Sequence, residues 1–215
     1  MSRGQFITFE GTEGVGKSTQ LATARAALEG AGKAVMVTRE PGGTPMAEAI
    51  RELLLAPRDE PVNELTELLL MFAARAQHLH SRILPALEAG AWVLCDRFTD
   101  ATYAYQGGGR GVPRERIAAL EQLVQGDIRP DHVILLDAPV DVGMARARHR
   151  SEPDRFELEK AAFFQRIRDC YLARAREYPM RYHIVDASRS LEEVSGQVTG
   201  LIRRLADGEP CKTQL

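Results

Sequence analysis

A chain of 215 residues that is 44% hydrophobic and 27% charged has the size and composition of a soluble globular protein. Its formal net charge of −2 argues against broad electrostatic binding to nucleic acid, although one arginine-rich stretch stands out locally. Cys95, Cys170 and Cys211 form no CxxC pair and are odd in number, which speaks against a disulfide framework and a zinc site, and no apolar run approaches the ~18 residues of a membrane span. Residues 1–4 lead into the first strand without an apolar signal region, so the expected setting is the cytoplasm, with neither membrane nor nucleic acid as partner. One α/β domain over 1–215 is the economical reading, with a polar tail from about 208.

Phe6 to Phe9 put β-branched and aromatic residues in a row, as in a buried parallel strand, and Lys17 onward carries good helix formers such as Leu21, Ala22, Ala24 and Arg25. Between them Gly11-Thr12-Glu13-Gly14-Val15-Gly16-Lys17-Ser18 fits G-x-x-x-x-G-K-[ST] in full, with Thr19 next on the helix. The glycines permit positive φ, so consecutive N–H groups can point inward and form a nest for anionic oxygens at a helix N-terminus. Residues Gly11 to Thr19 are thus the expected phosphate cradle, in which Lys17 reaches the β/γ-phosphates and the Ser18 hydroxyl ligates Mg²⁺. Kinases, motor ATPases and GTPase switches share this cradle, so the remaining elements must decide among them.

Further strand-like runs occur at 34–38, 92–96, 132–137 and 182–186, each separated from the next by sequence with helical periodicity. That alternation predicts a parallel sheet covered by helices on both faces. Thr44 can cap a helix that Pro57 stops, a long helical pattern runs from 64 to 88 with Pro85 bending its end, and Pro113 opens another to about Gln125. Later helices are predicted over 160–177 and 191–206.

In such a sheet ligands bind beyond the carboxyl ends of the strands. There the sequence places the phosphate loop, then Arg39-Glu40-Pro41, then Asp96-Arg97, then Asp137. Asp96 or Asp137 can be the metal-side carboxylate, and Arg97 offers a bidentate fork for phosphate oxygens. The run "ARARHRSEPDRFE", with Arg146, Arg148, Arg150 and Arg155 across a Ser/Pro break, suits a lid over about 146–158 closing on a polyphosphate. On the helix "LLLMFAARAQ", Met71 and Arg75 stand at i and i+4 with Phe72 beside them, a platform and a guanidinium for a flat heterocycle. "TYAYQGGGRG" reads as a flexible turn whose Thr102, Tyr105 and Gln106 can line a sugar or a base.

Taken in order, "EGTEGVGKST", "TREPGGT", "MFAAR", "DRF", "AYQGGGRG" and the arginine run resemble the thymidylate kinase family over about 6–205. The resemblance implies a P-loop NTPase fold of the nucleoside monophosphate kinase kind, with five parallel strands flanked by helices, and a homodimer. It also implies transfer of the γ-phosphoryl group of ATP to dTMP with Mg²⁺. Carried over by position, Lys17 and Ser18 would hold the ATP phosphates and metal, and Glu13 would contact the region of the deoxyribose 3′-hydroxyl. Arg97 would grip the dTMP phosphate, with Asp96 beside it acting through the metal or its waters. Arg75 would read the thymine edge, while Arg39, Glu40, Pro41 and Arg51 would shape the acceptor-phosphate side. No basic residue occupies the variable loop positions 12–15, so the catalytic arginine would come from the lid, Arg150 and Arg155 before Arg148. The family commonly has Phe four residues before the base-reading arginine; here Met71 holds that place, leaving Met71 or Phe72 to meet the ring.

Two rivals share the cradle. Another nucleotide or deoxynucleoside kinase would differ only in its acceptor. A GTPase switch generally needs N-K-x-D, and Asn63, the only asparagine, is followed by Glu64 and Leu65.

Overall fold

The computed structural model describes residues 3–147, 156 and 159–208. Five strands, β1 (Phe6–Glu10), β2 (Val35–Arg39), β3 (Trp92–Asp96), β4 (His132–Asp137) and β5 (Tyr182–Asp186), form one parallel sheet in the order β2-β3-β1-β4-β5. β1 and β2 each end one residue later than the sequence pattern indicated, which puts Glu10 and Arg39 inside the strands.

Strand alternation divides the core. Ile7, Phe9, Leu94, Ile134 and Leu136 face α1 (Lys17–Gly30) and α9 (Leu191–Ala206), which supply Leu21, Leu28, Val198 and Ile202. On the opposite face Val133 and Leu135 meet Phe163, Phe164 and Ile167 of α8 (Ala161–Glu177). There too Phe6, Val93 and Cys95 meet Leu79, Ile83 and Phe98, the Phe6 and Phe98 rings in an edge contact with centroids 4.9 Å apart. Each fully buried Leu or Phe contributes roughly 1.5–3 kcal/mol of hydrophobic stabilisation. Because α1 leaves β1 for one face and the chain after β3 runs to the other, a crevice opens at the carboxyl tips of these neighbouring strands.

Two helical stretches depart from the sequence expectation, while α2 (Pro45–Leu55) is capped by Thr44, whose hydroxyl accepts the Ala47 N–H, as expected. The pattern over 64–88, however, is α3 (Glu64–His78), a π turn at Leu79–Ile83 and α4 (Leu84–Glu88), with Pro85 in the first turn of α4. The "YAYQGGG" segment is not a flexible turn. After α5 (Thr99–Thr102) it continues as a π segment, Tyr103–Gly109, closed by the Arg110 N–H on Tyr105 O. Its glycines serve close packing: a Cβ on Gly108 would lie 2.9 Å from Arg166 O, and one on Gly109 would lie 2.5 Å from the Phe163 ring, both on α8. α6 (Arg114–Gln125) and α7 (Val140–Ala147) complete the set.

Candidate active site

The loop between β1 and α1 folds as the sequence pattern demands. Gly16 caps α1 at φ 90°, and Lys17 is the first helical residue. A Cβ on Gly14, whose φ is +73°, would lie 1.9 Å from Gly143 O on α7, so loop and helix backbones touch only because this residue is glycine. Lys17 Nζ donates to Thr12 O at 2.7 Å and Gly11 O at 3.2 Å. Burial, and then the Arg97 charge, hold the Lys17 ammonium below the ordinary lysine range. Val15 is buried in the core, so its backbone, not its side chain, faces any phosphate; Ser18 and Thr19 are exposed, and Ser18 lines the crevice while Thr19 does not.

Beside this loop stands the tip of β3. Arg97 has φ 67°, a left-handed conformation that costs a non-glycine residue about 1–2 kcal/mol and turns its side chain back across β1. Arg97 Nη2 donates to Glu13 Oε1 at 2.6 Å, Nη1 donates to Gly11 O at 2.8 Å and to the Tyr171 hydroxyl at 3.3 Å, and the guanidinium lies 4.7 Å from the Tyr105 ring centroid. Glu13 Oε1 also accepts the Tyr105 hydroxyl at 2.9 Å. Burial works to raise the Glu13 carboxyl, but the Arg97 and Lys17 charges outweigh it and hold it down at about 2. Asp96 Oδ1 is buried with no hydrogen-bond partner among the described residues, and Asp96 lines the crevice with Lys17 and Ser18. Asp137, the alternative metal-side carboxylate, is instead gripped at both oxygens by Arg168 Nε and Nη2, at 2.7 and 2.8 Å.

Behind Arg97 lies a group that the sequence reading passed over. Glu10 is fully buried; Oε1 accepts the Phe98 N–H at 2.7 Å, and the Tyr171 hydroxyl is 2.8 Å from Oε2. Burial, then the charge of Asp100, pushes its carboxyl up from 4.5 to about 8. The folded protein therefore holds a proton that the unfolded chain releases, and this contribution to stability, full at low pH, falls as pH rises from about 4.5 to about 8. Replacing Glu10 by Gln is expected to flatten the decline in thermal midpoint over that window. Equal slopes for the two proteins would mean that Glu10 ionises normally.

The far wall of the crevice is built on α3. Arg75 is buried, its guanidinium held between the rings of Phe72 and Phe98 at 4.9 and 5.0 Å. Arg75 Nε donates to Glu40 Oε2 at 2.7 Å and Nη2 to Thr102 Oγ1 at 2.9 Å, while Nη1 has no partner among the described residues. Met71 lines the crevice; Phe72 does not, since it sits behind Arg75 in the core formed with Leu68, Tyr103 and Ile117. Of the two candidates for the platform, the structure thus brings only Met71 to the cavity wall. Gln106 is buried and donates to Glu67 Oε1 at 2.8 Å.

Crevice and walls enclose about 280 Å³. Lys17, Arg39, Arg51, Arg75 and Arg97 line it against the acids Glu13, Glu40 and Asp96, so the space favours an anion. Arg51 Nη1 donates to Pro41 O at 2.9 Å, and Arg39 Nη2 to Glu48 Oε2 at 2.9 Å. The Glu40 carboxylate, expected on the phosphate side, is engaged by Arg75 and His78 instead. Arg148, Arg150 and Arg155 lie outside the described residues; Arg146 donates to Ala187 O and Ser188 O. Phe98, Ala101, Leu55 and Phe156 also line the space. Glu10 ends its strand in a charge as the other strands do, so the strand-end rule could have found it. Tyr171, inside an ordinary amphipathic helix, gave no such signal.

A thymidylate kinase family profile matches residues 9–198. The chain is similar to the thymidylate kinase of Alcanivorax borkumensis, 59% identical over 94% of this chain and 97% of the relative. It is also similar to those of Pseudomonas syringae pv. tomato, 58% identical over 95% and 97%, and Chromohalobacter salexigens, 58% identical over 96% and 99%.

Proposed function

The chain belongs to the thymidylate kinase family, and on that premise we propose how its residues divide the transfer of the γ-phosphoryl group of ATP to dTMP, giving dTDP and ADP. A phosphate oxygen of dTMP forms the new bond to the γ-phosphorus as the bond to the β-bridging oxygen breaks. A monoester phosphate has its second pKa near ~6, so at neutral pH no base is needed, and the work left to the protein is positioning and charge.

The loop from Gly11 to Thr19 takes the ATP phosphates, and Lys17 exchanges its contacts to Gly11 O and Thr12 O for phosphate oxygens. Ser18 and Asp96 are hard oxygen donors on one wall, and the orphaned Asp96 Oδ1 supports a place for Mg²⁺ or its waters; the ion, when bound, neutralises charge on the polyphosphate. Arg97 meets the acceptor phosphate, with Glu13 and Tyr105 fixing the guanidinium and Glu13 available to the sugar hydroxyl; Arg39 and Arg51 add positive field beside Pro41. Arg150, Arg155 and Arg148, through the lid, offset the charge that spreads over the transferring group; this part rests on the sequence alone.

The observation that carries the choice of acceptor is Arg75 Nη1, a buried donor left open on the cavity wall. It suits the carbonyl at the 4-position of thymine, where cytosine carries an amino group instead. Met71 and Gln106 complete the base side. A coupled assay of ADP release with dTMP, dUMP, dCMP, dGMP, AMP and thymidine tests this reading. Strong turnover with dTMP and little with dCMP supports it, whereas turnover that ignores the acceptor would replace it with an ATPase.

A homodimer belongs to the same reading. Leu65 and Leu69 are exposed one turn apart on α3, apolar surface that a second copy would cover, and Leu53 on α2 and Leu123 on α6 are exposed as well. Light scattering should return twice the chain mass; a monomer at assay concentrations would remove the dimer from the account. The cytoplasm fits the free thiols of Cys95 and Cys170, and no helix among the described residues is long and apolar enough to cross a membrane.

A further inference from the structure

His78 closes α3 one turn beyond Arg75 and is fully buried. Its Nδ1 lies 3.1 Å from Glu40 Oε1 and its Nε2 lies 2.6 Å from Thr38 Oγ1. One neutral tautomer satisfies both contacts: Nδ1–H donates to the carboxylate, and Nε2 accepts the threonine hydroxyl. The second Glu40 oxygen takes Arg75 Nε, and Thr102 takes Arg75 Nη2. Two edges of the guanidinium are thereby fixed, and Nη1 is the nitrogen left for a ligand.

The backbone makes room for this arrangement. Gly43 has φ +86°, and a Cβ there would lie 2.4 Å from His78 Nε2 and 2.6 Å from Thr38 Oγ1. Thr38, Glu40 and Gly43 of the "TREPGGT" stretch therefore converge on the imidazole. A carboxylate held at one oxygen only can tilt, and any tilt of Glu40 carries Arg75 Nε with it. Held at both, it transmits the position of α3 and β2 to the guanidinium.

We propose that His78 is a positioning residue for nucleobase recognition: through Glu40 it sets the direction of Arg75 Nη1, and with it the affinity and base selectivity for the acceptor nucleotide. The proposal rests on the reading of Arg75 as the base contact. His78 itself touches no substrate and does no acid–base chemistry. It acts by restricting one carboxylate.

Steady-state kinetics of His78→Leu, His78→Asn, His78→Gln and Arg75→Ala test it. The Asn amide nitrogen falls near the place of Nδ1 and restores a donor to Glu40, whereas the longer Gln amide reaches the place of Nε2 and restores only the Thr38 contact. His78→Leu is expected to raise KM for dTMP by about tenfold, narrow the preference for dTMP over dCMP and leave KM for ATP unchanged. His78→Asn should recover most of that loss and His78→Gln little of it, and this pair decides the matter even where the leucine variant folds poorly. Unchanged KM for dTMP in the His78 variants, beside a large rise in Arg75→Ala, overturns the role of His78. Unchanged KM in Arg75→Ala as well overturns the reading of Arg75 on which it stands. Equal recovery by Asn and Gln would show that the imidazole only fills space, and the proposal would fail.

Discussion

Replacing Arg97 by alanine is expected to lower kcat/KM for dTMP by about 10³-fold, the scale seen when a preorganised donor to a reacting oxyanion is removed. Three effects add. On the proposed reading, the acceptor phosphate loses its cationic partner. Glu13, now held low at about 2 by the Arg97 and Lys17 charges, loses the nearer support and is left as a carboxylate facing an incoming dianion. Tyr105 loses the guanidinium over its ring, and so the wall of the crevice loosens. Arg97→Gly separates chemistry from backbone strain, because glycine adopts φ 67° freely. That variant should be the more stable of the two and no more active. Retention of more than about a tenth of the wild-type kcat/KM in either variant would place the acceptor phosphate elsewhere.

The second large effect falls on binding. Arg75→Ala should raise KM for dTMP about 100-fold while KM for ATP stays near the wild-type value, since the base edge loses a buried hydrogen bond from a charged donor, an interaction of about 1.5–3 kcal/mol. A separate cost falls on stability, because Glu40, whose side chain is 4% exposed, would be left as a buried carboxylate with His78 beside it and no arginine. The double variant Arg75→Ala with Glu40→Gln removes the stranded charge. It should regain thermal stability but not dTMP affinity. If both substrates weaken in parallel, or if the double variant restores KM, the loss comes from the fold and not from the base contact.

The two arginines differ in how openly the sequence announced them. Arg97 follows an apolar strand directly, so the rule that ligands gather at strand tips pointed to it. Its contact with Glu13 joins positions 84 residues apart, and no local pattern encodes that. Arg75 was visible as a charge inside an apolar helical stripe, with Met71 and Phe72 near it on the same helix. Its two aromatic neighbours, Phe72 and Phe98, and its carboxylate, Glu40, come from three separate elements.

The glycine-rich stretch misled for a physical reason. Local propensity makes Gly107 to Gly109 a turn, yet here the missing side chains of Gly108 and Gly109 admit α8, and the segment is a π helix. Glu10 and Tyr171, 161 residues apart, meet because Glu10 points to the face of the sheet that α8 covers, and sequence spacing is blind to that.

By itself the sequence determined the five strands, the parallel sheet and the glycine-rich loop between β1 and α1, because a strand's side-chain period and a loop's positive-φ glycines are properties of adjacent residues. Only the tertiary structure decided that Asp96 and not Asp137 lines the crevice, that Met71 and not Phe72 reaches the cavity, and that Glu40 turns toward Arg75 and His78. Each of these depends on which distant partner occupies the other side of a side chain, and burial makes that pairing obligatory: a charge removed from water must find its counterpart wherever the chain has brought one.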